Sequence, residues 1–322
     1  MTEQMPTVVV ADTYLGPVDH EQALAQGRAI VRAVRLVTPA DVAVATADAD
    51  ALLVTTQPLT ADHIAAFGPR MRIIGRAGIG LDSIDLEAAA ARGVAVYHTP
   101  EYCVSEVADQ TLTNILMLVR QMRDQVIVGR TPGWTGRERI TIHALGALTV
   151  GVVGAGRIGR AVLERLAPFG VRRLAFDPVM VTIPNGVERA KSLDSLLEQS
   201  DVVTLHLPLV PETRGLISRD AISRMRQGAY LVNVSRGPLV DTTALAEALD
   251  SGHLAGAIVD VFAREPVSDD ETLLSASNAI LTPHIAWQSV EAGVRVRAQT
   301  LNAVLAYLSG SDPVDGRLAV RP

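Results

Sequence analysis

Gly154, Gly156 and Gly159 stand at G-x-G-x-x-G spacing directly after the apolar run Leu148–Val153, and ahead of a segment with Ala161, Leu163 and Leu166 on one helical face. Strand, glycine turn and helix in that order can cradle a pyrophosphate. Gly154 permits the tight turn, Gly156 lets backbone approach the anion, and Gly159 lets helix and strand pack closely. The opening N–H groups and the helix dipole then face the negative charge. Three glycines alone also make ordinary tight turns, so the weight rests on context. The next run, Arg173–Phe176, ends in Asp177, 21 residues past Gly156. A carboxylate at a spacing of about 20 suits the adenosine ribose hydroxyls and repels a 2′-phosphate, which favours NAD over NADP.

Three further segments end apolar runs in polar residues: Asn233–Gly237 after Tyr230, Asp260–Pro266 after Ala257, and Thr282–Trp287 after Ala279. In an open parallel sheet the carboxyl ends of strands line the ligand crevice, so Arg236, Glu265 and His284 are expected to meet. Arg236 offers a permanent charge and a planar fork of donors for a carboxylate and its neighbouring carbonyl. His284 can give a proton to a developing alkoxide or take one back, since free imidazole titrates near ~6.5. Glu265, hydrogen-bonded to His284, would fix its tautomer and favour the imidazolium. Each residue type taken singly is an ordinary surface or turn residue; their joint placement carries the signal.

With these motifs the chain resembles the NAD-dependent D-isomer-specific 2-hydroxyacid dehydrogenase family over nearly its whole length. The stretches His206–Leu209 with Thr213–Ile217, Met225–Ala229 with Arg236–Asp241, and Gly78–Asp85 carry the likeness beside the fingerprint. The resemblance implies two doubly wound α/β domains, one flavodoxin-like and one Rossmann, with the active site in the cleft between them. It implies that Arg236, Glu265 and His284 are catalytic, moving a hydride between NADH and a 2-oxo acid. It implies cofactor contacts at Gly154, Gly156, Arg157, Ile158, Gly159, Asp177, His206, Pro208, Thr213, Val234, Ser235, Arg236, Asp260 and His284. Substrate would touch the loop amides of Ala77, Gly78 and Ile79, with Arg236, His284 and Trp287; selectivity is expected from Tyr102, Cys103 and residues near Tyr14. One departure stands out: Ala286–Trp287 follow His284–Ile285 where many members have glycine. That pair is similar to the C-terminal-binding-protein branch of NAD-sensing corepressors, so an NAD(H)-dependent regulatory protein is the alternative to an enzyme. Trp287 would line a substrate pocket or pack.

The elements that position these residues are short Val/Ile/Leu runs alternating with Ala-rich helical stretches, the pattern of parallel sheets covered on both faces. A helix over Ser105–Arg123, with Val107, Leu112, Ile115, Leu116 and Val119 on its apolar face, precedes an exposed excursion, Gly129–Arg139, that carries Trp134. A second long helix is expected over Ser289–Leu308. The expected division is a discontinuous substrate domain, 1–101 with 286–322, around a nucleotide domain, 102–285. The apolar helix and protruding indole suggest a homodimer. With 322 residues, 48% hydrophobic and 20% charged, the chain has ample core material. Its net charge of −6, with 28 Arg and the lone Lys191 scattered, gives no basic footprint for nucleic acid. Cys103 is the only cysteine, which excludes an internal disulfide, and the histidines form no close ligand pair, so no metal is expected. The polar start, Met1–Pro6, has no leader pattern. The uncharged run Ile140–Gly156 has 17 residues and four glycines, short of a membrane span. A cytoplasmic protein is expected.

Overall fold

Val8 and Val9 are neighbours in the chain and lie in different cores. The same split divides Leu53 from Leu52, Ile73 from Ile74 and Tyr97 from Val96, because successive side chains of a strand point to opposite faces. Both faces are dry, and each fully buried Val, Leu or Ile contributes about 1.5–3 kcal/mol. The computed structural model describes residues 5–11, 15–179, 182–313 and 316–321. Tyr14 and the start of the chain through Gln4 lie outside them. The chain divides into two compact units, Met1–Cys103 with Ser289–Pro322, and Val104–Gln288.

The first unit contains β1 (Thr7–Ala11), α1 (Asp19–Ala25), β2 (Ile30–Val34), α2 (Pro39–Thr46), β3 (Ala51–Val54), α3 (Ala61–Ala65), β4 (Ile73–Arg76), α4 (Leu86–Ala91) and β5 (Ala95–His98). The second unit follows, with α5 (Val104–Val119), α6 (Met122–Gly129), β6 (Thr149–Val153), α7 (Arg157–Leu166), β7 (Arg172–Phe176), β8 (Glu188–Arg189), α8 (Leu193–Gln199), β9 (Val202–Leu205), α9 (Arg219–Arg224), β10 (Ala229–Asn233), α10 (Thr242–Asp250), β11 (Leu254–Val259) and β12 (Ala279–Leu281). The chain then completes the first unit with α11 (Val290–Leu308) and β13 (Arg317–Val320). The first sheet has the order β13-β5-β4-β3-β1-β2 and is parallel except for β13, which runs antiparallel to β5. The second, β12-β11-β10-β9-β6-β7-β8, is parallel throughout.

Helix starts follow local chemistry. Ser192, Ser218, Asp241 and Ser289 each accept a backbone N–H from the first turn of the helix that follows. Two expectations change. The helix expected over Ser105–Arg123 ends at Val119, and Gln121, at φ 48°, breaks it before α6 begins. Its buried stripe is Val107, Thr111, Ile115 and Leu118, whereas Leu112 and Leu116 are only half-buried. After α6 the excursion Gly129–Arg139 has no buried residue and contains two 3₁₀ turns at Pro132–Trp134 and Arg137–Arg139. Among the described residues no helix is long and apolar enough to cross a membrane.

Candidate active site

The glycine turn forms as its residue types require. Gly154 lies at φ 93°, and a Cβ there would sit 2.4 Å from the carbonyl oxygen of His206. A Cβ on Gly159 would sit 2.0 Å from the Gly154 carbonyl oxygen, so helix and turn approach as only glycine allows. Gly156, the N-cap of α7, differs: nothing lies within 4 Å of the Cβ position, and no side chain caps the helix. The first turn of α7 offers the backbone N–H groups and the positive end of the helix dipole that suit an anion. Asp177 ends β7 with one carboxylate oxygen accepting the Ala155 N–H at 2.8 Å and the other the Val179 N–H at 2.9 Å. These contacts fix the carboxylate beside the turn and leave lone pairs for ribose hydroxyls. The turn, the uncapped helix and the acid together fit the adenosine diphosphate half of NAD.

His206 follows β9 against this turn. Its Nε2 pairs with the Thr204 hydroxyl at 3.0 Å, and its Nδ1 is buried with no partner. Burial pushes its pKa down to about 3, so the ring is neutral and does no acid–base work. Thr213 donates its hydroxyl to the Pro208 carbonyl at 2.8 Å and accepts the Val210 N–H, which holds the turn. Ser235 likewise donates its hydroxyl to the Leu205 carbonyl, tying β10 to β9. Val234 is buried.

Arg236 stands where β10 gives way to a turn. The Asn233 amide donates to the Arg236 carbonyl at 2.9 Å, and the guanidinium donates to the Ser235 carbonyl at 2.7 Å. Next to it, a Cβ on Gly237 would lie 2.1 Å from the Phe262 carbonyl carbon. That close approach brings the Arg236 turn against the loop that carries Glu265. Glu265 accepts the Phe262 N–H on Oε1 at 2.9 Å and meets His284 Nδ1 with Oε2 at 2.6 Å. Burial opposes its ionisation, but the His284 hydrogen bond and charge, the Phe262 N–H and the Arg236 charge outweigh it and hold the carboxyl below the usual range. The structure thus brings Arg236, Glu265 and His284 together from the ends of β10, β11 and β12. His284 has φ 54°, uncommon outside glycine.

Asp260 was expected to contact the cofactor. In the structure its fully buried carboxylate accepts the Thr282 hydroxyl and the N–H groups of Ile285 and Ala286, so those oxygens are committed to the loop around His284. Trp287 donates its indole N–H to the His284 carbonyl at 3.0 Å. Neither role was legible beforehand; the one available signal was an acid ending a strand beside the strand that leads to the histidine.

In the first unit, two of the three loop amides assigned to substrate are already engaged. Ala77 donates to the Val54 carbonyl at 2.8 Å, and Gly78 to the Thr99 hydroxyl at 3.0 Å and the Arg76 carbonyl at 2.9 Å. A strand end satisfies its own amides in this way. Ile79 keeps its N–H without an acceptor among the described residues, while its carbonyl is held by His98 Nδ1 at 2.8 Å. Tyr102 and Cys103 are buried in this unit. Among the described residues no three His, Cys, Asp or Glu side chains converge to hold a metal ion.

A glycine-turn Rossmann sheet bearing a histidine–glutamate pair near an arginine is the arrangement of a nicotinamide-dependent dehydrogenase. Comparison with known proteins makes the assignment narrower. Residues 112–286 match the family described as D-isomer specific 2-hydroxyacid dehydrogenase, NAD binding domain. The chain is 38% identical over 266 residues to a D-3-phosphoglycerate dehydrogenase of Mycobacterium leprae, covering 82% of this chain and 50% of that protein. It is 38% identical over 275 residues to a glyoxylate reductase of Thermofilum pendens, covering 83% and 80%. A crystal structure of D-lactate dehydrogenase from Aquifex aeolicus, complexed with NAD and lactic acid, superposes with a TM-score of 0.88 at 29% identity, covering 98% of this chain and 99% of that one. The chain belongs to the D-isomer-specific 2-hydroxyacid dehydrogenase family and carries its NAD-binding domain. It spans about half the length of the curated phosphoglycerate dehydrogenases it matches.

Proposed function

We propose that this protein is an NAD(H)-dependent oxidoreductase that interconverts a 2-oxo acid and a D-2-hydroxy acid. The observation that carries the reading is the 2.6 Å contact between His284 Nδ1 and Glu265 Oε2, with the Arg236 charge acting on the same carboxylate. NADH, when bound, supplies the hydride. Arg236 holds the substrate carboxylate and polarises the adjoining carbonyl through its fork of donors. Glu265 keeps a proton on Nδ1, so the imidazolium of His284 presents its second proton, on Nε2, to the developing alkoxide. After transfer the ring is neutral with its remaining proton on Nδ1, facing Glu265. In the oxidative direction neutral His284 takes the hydroxyl proton back.

The reading includes a cytoplasmic homodimer. Met122, Val126, Ile127 and Trp134 are 41%, 46%, 53% and 61% exposed along α6 and the turn after it, a run of apolar surface that a second copy would cover with the same patch. The test is NADH oxidation at 340 nm against glyoxylate, pyruvate and other 2-oxo acids named by the chemistry of the relatives. Steady turnover with any of them is the expected result. Tight NADH binding with no turnover across the panel would refute it and favour the NAD(H)-sensing regulatory protein.

A further inference from the structure

We propose that Asp260 and Trp287 are positioning residues that clamp His284 in its left-handed backbone conformation and so aim its ring at Glu265. The inference rests on the proposed dehydrogenase reading only for its kinetic arm. Histidine at φ 54° is disfavoured, because Cβ crowds the following carbonyl, and such a conformation persists only where its surroundings over-determine it. Here they do so on both sides of the residue. The Asp260 backbone carbonyl accepts the His284 N–H at 2.8 Å. Its carboxylate takes the Thr282 hydroxyl before the histidine, and the Ile285 and Ala286 N–H groups after it at 3.0 and 2.9 Å. From the end of the loop the Trp287 indole N–H donates to the His284 carbonyl at 3.0 Å.

Asp260 is fully buried, as is a carboxylate that must be compensated wholly by donors. Its donors are all parts of the one loop. If the loop relaxed to negative φ at His284, the Cα–Cβ direction would turn and Nδ1 would leave Glu265, because a 2.6 Å contact tolerates little displacement. Trp287 lies three residues past His284 in the same loop. A residue there without an N–H at the end of a long side chain cannot reach the same carbonyl. The role differs from lining a substrate pocket: the indole acts through the histidine backbone.

The closing experiment compares Trp287→Phe, which keeps a ring and deletes the N–H, with Asp260→Asn, which keeps shape and removes acceptor capacity. Two readouts are taken on the intact chain. The first needs no turnover: the titration of the Glu265 carboxyl by carbon-13 NMR, assigned by its loss in Glu265→Gln. In both variants the midpoint is expected to rise from its lowered position toward the ordinary carboxylate value, as the His284 hydrogen bond weakens. The second is kinetic: kcat is expected to fall roughly fivefold in Trp287→Phe, the scale of one neutral hydrogen bond, with KM and NADH affinity within about twofold. Asp260→Asn is expected to lose more, since three loop contacts change at once. An unmoved Glu265 midpoint in both variants overturns the proposal, whatever happens to kcat. A raised KM at unchanged kcat in Trp287→Phe overturns it in favour of substrate contact. Should no 2-oxo acid turn over, the dehydrogenase reading fails while the titration still decides the clamp.

Discussion

Replacing Glu265 by glutamine exchanges one carboxylate oxygen for an NH₂ group at nearly constant volume. Oε1 of Glu265 accepts the Phe262 N–H at 2.9 Å and Oε2 faces His284 Nδ1 at 2.6 Å. The amide must keep its oxygen toward Phe262, because the opposite orientation sets NH₂ against N–H. Its NH₂ then points at Nδ1, which a neutral ring can accept only with its proton moved to Nε2. The protonated ring, with N–H on both nitrogens, meets the amide donor to donor and is disfavoured. The proton needed for 2-oxo acid reduction is thereby withdrawn. A hydrogen bond to a charged group contributes about 1.5–3 kcal/mol. The two side chains are 34% and 36% exposed, so solvent screening places this pair in the lower part of that range. A loss of about 1.5–2 kcal/mol corresponds to roughly 10–30-fold in rate. Stopped-flow measurement of a single NADH oxidation turnover, across pH 6 to 9 (about three units around the free imidazole value), reads the chemical step apart from product release. A Glu265→Gln rate within twofold of wild type, with the same pH profile, would refute the assignment of Glu265 as the group that orients and charges His284.

Two glycines of one motif should fail differently. Gly156→Ala adds a methyl where nothing lies within 4 Å, so the melting temperature should hold while NADH affinity, read by fluorescence titration, falls. Gly159→Ala drives its methyl to 2.0 Å from the Gly154 carbonyl oxygen, and overpacking of about 1–3 kcal/mol should lower Tm by roughly 3–10 °C. Asp177→Ala should narrow the preference for NADH over NADPH by removing a charge opposite the 2′-phosphate; equal affinities in the unaltered protein would remove Asp177 from the ribose. His206 stays neutral in the fold down to about pH 3, whereas the unfolded chain binds that proton near 6.5. Stability therefore drops as pH falls below 6.5, by about 2 kcal/mol at pH 5 from this residue, and denaturant melts of His206→Asn should lack that increment. Sedimentation should show a species of twice 34.2 kDa, and Trp134→Glu should shift it toward the monomer.

Local rules were enough for the parts of this protein whose geometry is decided within a few residues. The turn at Gly154–Gly159 needs positive φ and a close backbone approach that only glycine permits, so its residues declare it. The long apolar runs of β6, β9 and β10 are buried on both faces of the sheet, and a run buried on both faces is written as continuous hydrophobicity. Arg236, Glu265 and His284 were named from motifs that end such runs. Other elements are not written locally. β2 carries Arg32 and lies at a sheet edge, and β13 pairs antiparallel with β5 from more than 200 residues away, so neither shows the alternation or length that marks a strand. The apolar period of α5 continues past Val119, yet Gln121 turns left-handed and divides the helix. At the site, side-chain identity does not say which hydrogen bonds a polar group has left to offer. The amides of Ala77 and Gly78 go to Val54 and Thr99, the hydroxyl of Thr213 goes to its own turn, and the carboxylate of Asp260 goes to the loop of His284. Each of those partners is brought by chain packing rather than by sequence neighbourhood. A buried donor or acceptor must be satisfied by whatever the fold places beside it, and only the tertiary structure makes that choice.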